Sequence, residues 1–186
     1  NKNKYIRVPY GQSIHGKEEI QAVVKVLKSS TQMGKNVFNF EKKIAKLFTQ
    51  KYGLMVNSGS SAIMLAMESL NLPAGSEVIT PALTFSTTVG YIVKNKLIPV
   101  FVDVEEGTYC INEKKINDLI TKKTRAIVAP HLMGNIVNWK KIAPMLKKKG
   151  IVIIEDSADT LGATHKNKSA GHYTDISITS FYGSHI

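Results

Sequence analysis

Cysteine is almost missing from this sequence: Cys110 stands alone among 186 residues. One thiol cannot close an internal disulfide, and by itself it cannot hold an iron–sulfur cluster or a zinc ion. A reducing setting, the cytoplasm, is the expectation. Arginine is nearly as scarce, with Arg7 and Arg125 only, although the formal charge is +11. The positive charge is therefore lysine charge. It comes in scattered groups: Lys42-Lys43, Lys114-Lys115, Lys122-Lys123, Lys140-Lys141 and Lys147-Lys148-Lys149. Such groups read as solvated helix faces. No aromatic side chains interleave with them, as base stacking would require, so no nucleic-acid partner is expected. The surplus charge would still attract a phosphorylated substrate. No run reaches the roughly 18 apolar residues that span a bilayer, so no membrane partner is expected either. The start, Asn1-Lys2-Asn3-Lys4, has no apolar stretch behind it, and no secretory leader is expected within this sequence. The first residue is not methionine, so native residues are expected to precede it.

What is present is a rhythm. Glu18 to Leu27 places Ile20, Val23, Val24 and Leu27 at helical spacing, and Val37 to Phe48 does the same through Phe40, Ile44 and Leu47. Leu54-Met55-Val56 reads as a short buried strand and Ser61 to Leu70 as a helix. From there, β-branched runs alternate with helices. Val78-Ile79-Thr80, Val100 to Val104, Ala126 to Ala129, Ile151 to Ile154 and Ile176 to Thr179 read as strands. Thr87 to Val93, Glu113 to Ile120 and Trp139 to Lys148 read as helices. This alternation predicts an α/β fold, a mostly parallel sheet with helices on both faces.

Polar clusters stand at the ends of several predicted strands. In a parallel sheet these ends share one crevice. Ser58-Gly59-Ser60-Ser61 follows a strand and opens a helix. Free amides, the helix dipole and small hydroxyls there would bind an anion, and a plain serine N-cap is the alternative. It is neither GxGxxG nor a Walker loop. Glu155-Asp156 ends another strand. A carboxylate there would serve a metal, a ribose or a protonated ring nitrogen, or simply form a turn. Phe85 would stack on a flat ring or fill the core. His131 reads as a hydrogen-bonded structural histidine, and no second histidine stands at metal-ligand spacing from it. Ser180 and His185 close the last strand, a hydroxyl for a phosphate and an imidazole for proton transfer. Without a GxSxG elbow, serine hydrolase chemistry is not expected.

Taken in order, these segments resemble one family. Gly16-Lys17-Glu18-Glu19-Ile20, Gln32-Met33-Gly34, Val56-Asn57-Ser58-Gly59-Ser60-Ser61-Ala62 and Thr80-Pro81-Ala82-Leu83-Thr84-Phe85 carry the first half. Pro99 to Val104, His131-Leu132-Met133-Gly134-Asn135, Glu155-Asp156 with Leu161-Gly162-Ala163, and Ser180-Phe181-Tyr182 carry the second. The chain is similar to the DegT/DnrJ/EryC1/StrS group of pyridoxal phosphate (PLP) enzymes of fold type I, which are mostly sugar aminotransferases. The resemblance implies that Gly59, Ser60, Ser61 and Ser180 hold the cofactor phosphate, that Phe85 stacks on its ring, and that Asp156 pairs with its protonated nitrogen. The aminotransferases carry a lysine, covalently bound to the cofactor, where His185 stands here, and no lysine follows Lys168. Histidine at that place, together with Asp159, resembles the family's 3-dehydratase branch. That branch uses pyridoxamine 5′-phosphate (PMP) to remove the C3 hydroxyl of nucleotide-linked 4-keto-6-deoxy sugars, with His185 implied as the base. An aminotransferase with a displaced lysine and a non-catalytic cofactor-binding remnant remain as alternatives. The resemblance further implies an N-terminal arm and helix over residues 1–30 and an incomplete large domain over 31–186. A small C-terminal domain would lie beyond the fragment, and the intact protein would be a homodimer.

Overall fold

A computed structural model describes residues 5–11 and 14–185; Asn1 to Lys4 and Ile186 lie outside the described residues. The rhythm of the sequence becomes helices α1 (Lys17–Ser29), α2 (Lys35–Leu47) and α3 (Gly59–Ser69), then β1 (Glu77–Pro81), α4 (Ser86–Lys94) and β2 (Ile98–Val102). It continues as α5 (Glu113–Leu119), β3 (Thr124–Pro130), α6 (Trp139–Lys148) and β4 (Val152–Asp156). A small hairpin, β5 (Thr164–His165) with β6 (Lys168–Ser169), and a 3-10 turn at Ala170–Tyr173 lead to β7 (Ile176–Ile178).

The main sheet has the order β2-β1-β3-β4-β7, and all its pairings are parallel. Alternation along the strands divides its side chains between two cores. Ile79, Ile127, Ala129 and Ile153 face α5 and α6 and pack with Ile116, Trp139, Ile142 and Leu146. Val78, Ala126, Val128, Ile154 and Ile178 face α3 and α4 and pack with Ile63, Ala66, Met67 and Ile92. Both faces of β1, β3 and β4 are thus buried, which is why these strands are apolar without interruption rather than alternating. Chain order reverses between β1 and β3, so the carboxyl ends of these strands open on a crevice.

One expectation needs correcting. Leu54-Met55-Val56 is not a strand but an irregular segment, with Leu54 73% exposed. The Met55 amide, which a strand partner would accept, is instead taken by Glu41 Oε1 at 2.8 Å. A cavity of about 810 Å³ separates this segment from β7, lined among others by Phe40, Ile44, Phe48, Ile178 and Phe181. Among the described residues, β7 and β2 each pair on one side only. The structure adds the β5–β6 hairpin, for which the sequence carries no Asn-Gly or Asp-Gly signal. Lys166 and Asn167 both take positive φ at its tip, the conformation a two-residue hairpin turn needs.

Helix α1 buries none of its residues. Its apolar side, Ile20, Val23, Val24 and Leu27, is exposed, so it contributes nothing to either core.

Candidate functional site

Helix α3 opens with Ser58 as its cap. Ser58 Oγ accepts the Ser61 amide at 3.1 Å, and the Ser58 carbonyl accepts the Ala62 amide at 3.0 Å. The cap therefore exists, and it also limits the anion site. Ser61 spends its amide on the cap, while Gly59 and Ser60, the first two helical residues, have no carbonyl behind them to bond. Their N–H groups carry the positive end of the helix dipole. Ser180, two residues past β7, closes on this turn. A Cβ built on Gly59 would stand 3.3 Å from Ser180 Cβ and 3.6 Å from Ser180 Oγ. Glycine keeps that space open at the mouth of the free amides.

Asp156 ends β4, with Oδ1 accepting the Ala158 amide at 3.0 Å. Burial pushes its carboxyl above the usual range; the Ala158 amide opposes this, the Asp159 charge adds to it, and His131 and His185 draw it back. Asp159 and His185 are thus each within electrostatic reach of Asp156. Asp159 Oδ2 accepts the Met133 amide at 3.3 Å from the loop after β3.

His185 lies in a turn whose amide bonds the Tyr182 carbonyl at 2.8 Å, and its ring meets the Tyr182 ring edge-on at 5.4 Å. Its Nδ1 is buried without a hydrogen-bond partner among the described residues. A buried nitrogen left open in this way calls for a partner, which a bound ligand or a water would supply.

Phe85 precedes α4 at the end of β1, two strands from β4, and its ring is 65% exposed. The core alternative for this residue does not hold. Glu155 and Asp156 diverge, because successive strand residues point to opposite faces. Glu155 is fully buried on the α6 side, where its Oε2 lies 2.9 Å from Nε2 of the equally buried His131. His131 is structural, as its sequence setting suggested, but its partner was not foreseen. Alternation along β4 was the available signal, since it places Glu155 on the face of Ile153 and Trp139.

The sequence of residues 13–186 matches the DegT/DnrJ/EryC1/StrS aminotransferase family. The chain belongs to this family. It is 36% identical over 185 residues to the dTDP-4-dehydro-2,6-dideoxy-D-glucose 3-dehydratase of Saccharopolyspora spinosa, covering 95% of this chain and 40% of that one. Among solved structures it superposes on the Escherichia coli GDP-4-keto-6-deoxy-D-mannose-3-dehydratase with bound hydrated PLP. The TM-score is 0.82 at 34% identity, over 88% of this chain and 44% of that one. It also superposes on Spr1654 from Streptococcus pneumoniae in its PMP form, with a TM-score of 0.88 at 25% identity, over 96% and 49% of the two chains. The fold is thus that of the fold type I enzymes of this family. The chain spans about half the length of the curated relatives it matches.

Proposed function

We propose that this chain is the cofactor-binding half of a PLP/PMP-dependent enzyme that removes the C3 hydroxyl of a nucleotide-linked 4-keto-6-deoxy sugar. The observation that carries this reading is His185, with its buried and unpartnered Nδ1, within electrostatic reach of Asp156 in a family whose aminotransferases place a lysine there.

The residues present fit the cofactor. Gly59 leaves a space beside two free amides and the Ser180 hydroxyl that a side chain would fill, and this space suits a phosphate. Asp156 is a partly buried carboxyl group whose pKa burial raises, and a protonated ring nitrogen would favour its charged form. Phe85 presents an exposed ring at the same end of the sheet. When bound, pyridoxamine phosphate supplies an amine for the sugar ketone and a ring that accepts electron density.

The protein's own part is to place and move protons. Asp156 holds the ring nitrogen protonated. An imidazole with a reference pKa near 6.5 can take a proton at neutral pH and return it, and His185 has a ring nitrogen not committed to any other bond. Asp159, within electrostatic reach of Asp156, adds a second carboxyl group to the site. With His185 where the aminotransferases place a lysine, this position offers no amine for a covalent hold on the cofactor, which disfavours transamination and favours dehydration.

The same reading assigns residues 1–30 to an N-terminal arm and helix and residues 31–186 to an incomplete large domain, with a small C-terminal domain beyond them. The intact enzyme would be a cytoplasmic homodimer serving deoxysugar and surface-polysaccharide synthesis. The test is titration of the purified chain with pyridoxamine phosphate and pyridoxal phosphate separately, followed by borohydride reduction and intact mass. Saturable pyridoxamine phosphate binding with no site-specific adduct is expected. A stoichiometric adduct on one lysine overturns the dehydratase reading in favour of an aminotransferase. Binding of neither form leaves this chain a non-catalytic remnant.

A further inference from the structure

The loop after β3 is fastened at both ends by one side chain. His131 begins it, and Val137, six residues on, donates its amide to His131 Nδ1 at 3.0 Å. That bond fixes the tautomer: Nδ1 accepts, so the ring hydrogen sits on Nε2 and is donated to Glu155 Oε2 at 2.9 Å. Both side chains are fully buried, so neither bond competes with water. The His131 amide adds a third tie, to the Asp156 carbonyl at 2.9 Å. Glu155 is itself confined. Its Oε1 stands 3.1 Å from where a Cβ of Gly171 would be, and Gly171 is packed against the Phe48 carbonyl and Ser177 Oγ.

The loop so held contains an unfavourable backbone. Met133 adopts φ 52° and Gly134 φ 82°. A left-handed methionine costs free energy that surrounding structure must supply. At that residue the loop reaches the site, because the Met133 amide is the one donated to Asp159 Oδ2. A chain of contacts thus runs from Glu155 through His131 and the loop to Asp159, passing beneath the sheet and back over its carboxyl end.

We infer that the His131–Glu155 pair positions Asp159: it holds the 132–136 loop in the conformation that presents the Met133 amide, and so sets where the Asp159 carboxylate stands in the site. His131 and Glu155 are then positioning residues that touch neither cofactor nor substrate. The consequence for catalysis rests on the proposed function, but the structural coupling does not.

The experiment follows amide hydrogen exchange at Val137 and Met133, with Ile127 and Ile153 as core references, in wild type, Glu155→Leu, Glu155→Gln, His131→Phe and Asp159→Ala. Glu155→Leu and His131→Phe should speed exchange at both loop amides by about tenfold or more, the loss of one to two hydrogen bonds, while the core references stay put. Glu155→Gln, which still accepts from Nε2–H, should restore protection. Asp159→Ala should free Met133 alone. Pyridoxamine phosphate affinity is the second readout. Glu155→Leu should weaken it in wild type but add nothing in the Asp159→Ala background, because both act through one carboxylate. If Met133 keeps its protection while Val137 loses it, the pair does not reach Asp159 and the inference is overturned. Additive losses of affinity overturn it as well. Should His131→Phe fail to fold, the contrast of Glu155→Leu with Glu155→Gln carries the same decision. Absence of any cofactor binding would count against the proposed function and leave the exchange result to decide the coupling.

Discussion

Gly59 and Ser180 belong to elements far apart in sequence, yet a single added carbon on Gly59 would stand 3.3 Å from the Ser180 side chain. Their approach brings one hydroxyl to two unspent helix amides. Ser180→Ala should therefore weaken binding of phosphate-bearing cofactor about tenfold, the worth of one charge-assisted hydrogen bond. It should leave binding of dephosphorylated pyridoxamine unchanged. Parallel titrations with the two compounds check this, and equal losses for both would remove Ser180 from the phosphate site.

Asp156 is costly to the ligand-free chain. Burial holds its carboxyl above the ordinary value of 3.8, so the folded chain keeps a proton there that the unfolded chain has already lost. The unfolded state binds fewer protons in that window. Stability therefore falls as pH rises from the ordinary value to the raised one. Asp156→Asn retains the acceptor for the Ala158 amide and removes the titration. The variant should melt above wild type at neutral pH and show no such gain near pH 3, while losing pyridoxamine phosphate affinity. Melting curves across pH and one titration decide both halves.

His185→Lys should turn a non-covalent site into a covalent one. An amine at this place would attack the cofactor aldehyde, and borohydride should then fix one cofactor per chain on Lys at that position. Peptide mass mapping locates the adduct. An adduct spread over surface lysines, with none at residue 185, would show that His185 does not face the cofactor.

Gly171 marks a point of close packing away from the crevice. A methyl there would press on the Phe48 carbonyl and lie 2.7 Å from Ser177 Oγ. Gly171→Ala should cost about 1–3 kcal/mol of stability, as overpacking does. Chemical denaturation measures it, and an unchanged midpoint would mean that the segment shifts freely.

Most of the architecture was legible because its helices and strands obey their periods. The alternation of Val78 with Ile79 and of Val152 with Ile153 already implied a sheet buried on both sides. Leu54-Met55-Val56 misled because a short apolar run reads as a strand whether or not a neighbour exists to accept its amides, and here Glu41 accepts one instead. The hairpin at Thr164 to Ser169 was hidden because Lys166 and Asn167, rather than glycine, take the positive φ of its turn. Within the candidate site, motif spacing pointed to Asp156, Asp159, Ser180 and His185 but not to their partners. It could not reveal that Met133 spends its amide on Asp159, or that Glu155 faces away from Asp156 toward His131. Those facts arise from packing between segments distant in sequence.

The strand order β2-β1-β3-β4-β7 has a consequence for how the chain is built. Among the described residues, once β1 and β2 have paired, each later strand joins at one growing edge: β3 beside β1, β4 beside β3, β7 beside β4. None of these has to be threaded between two strands already in place. A chain emerging from the ribosome can therefore lay down these five strands in the order of synthesis, and β7 carries Ser180 and His185 to the candidate site behind it.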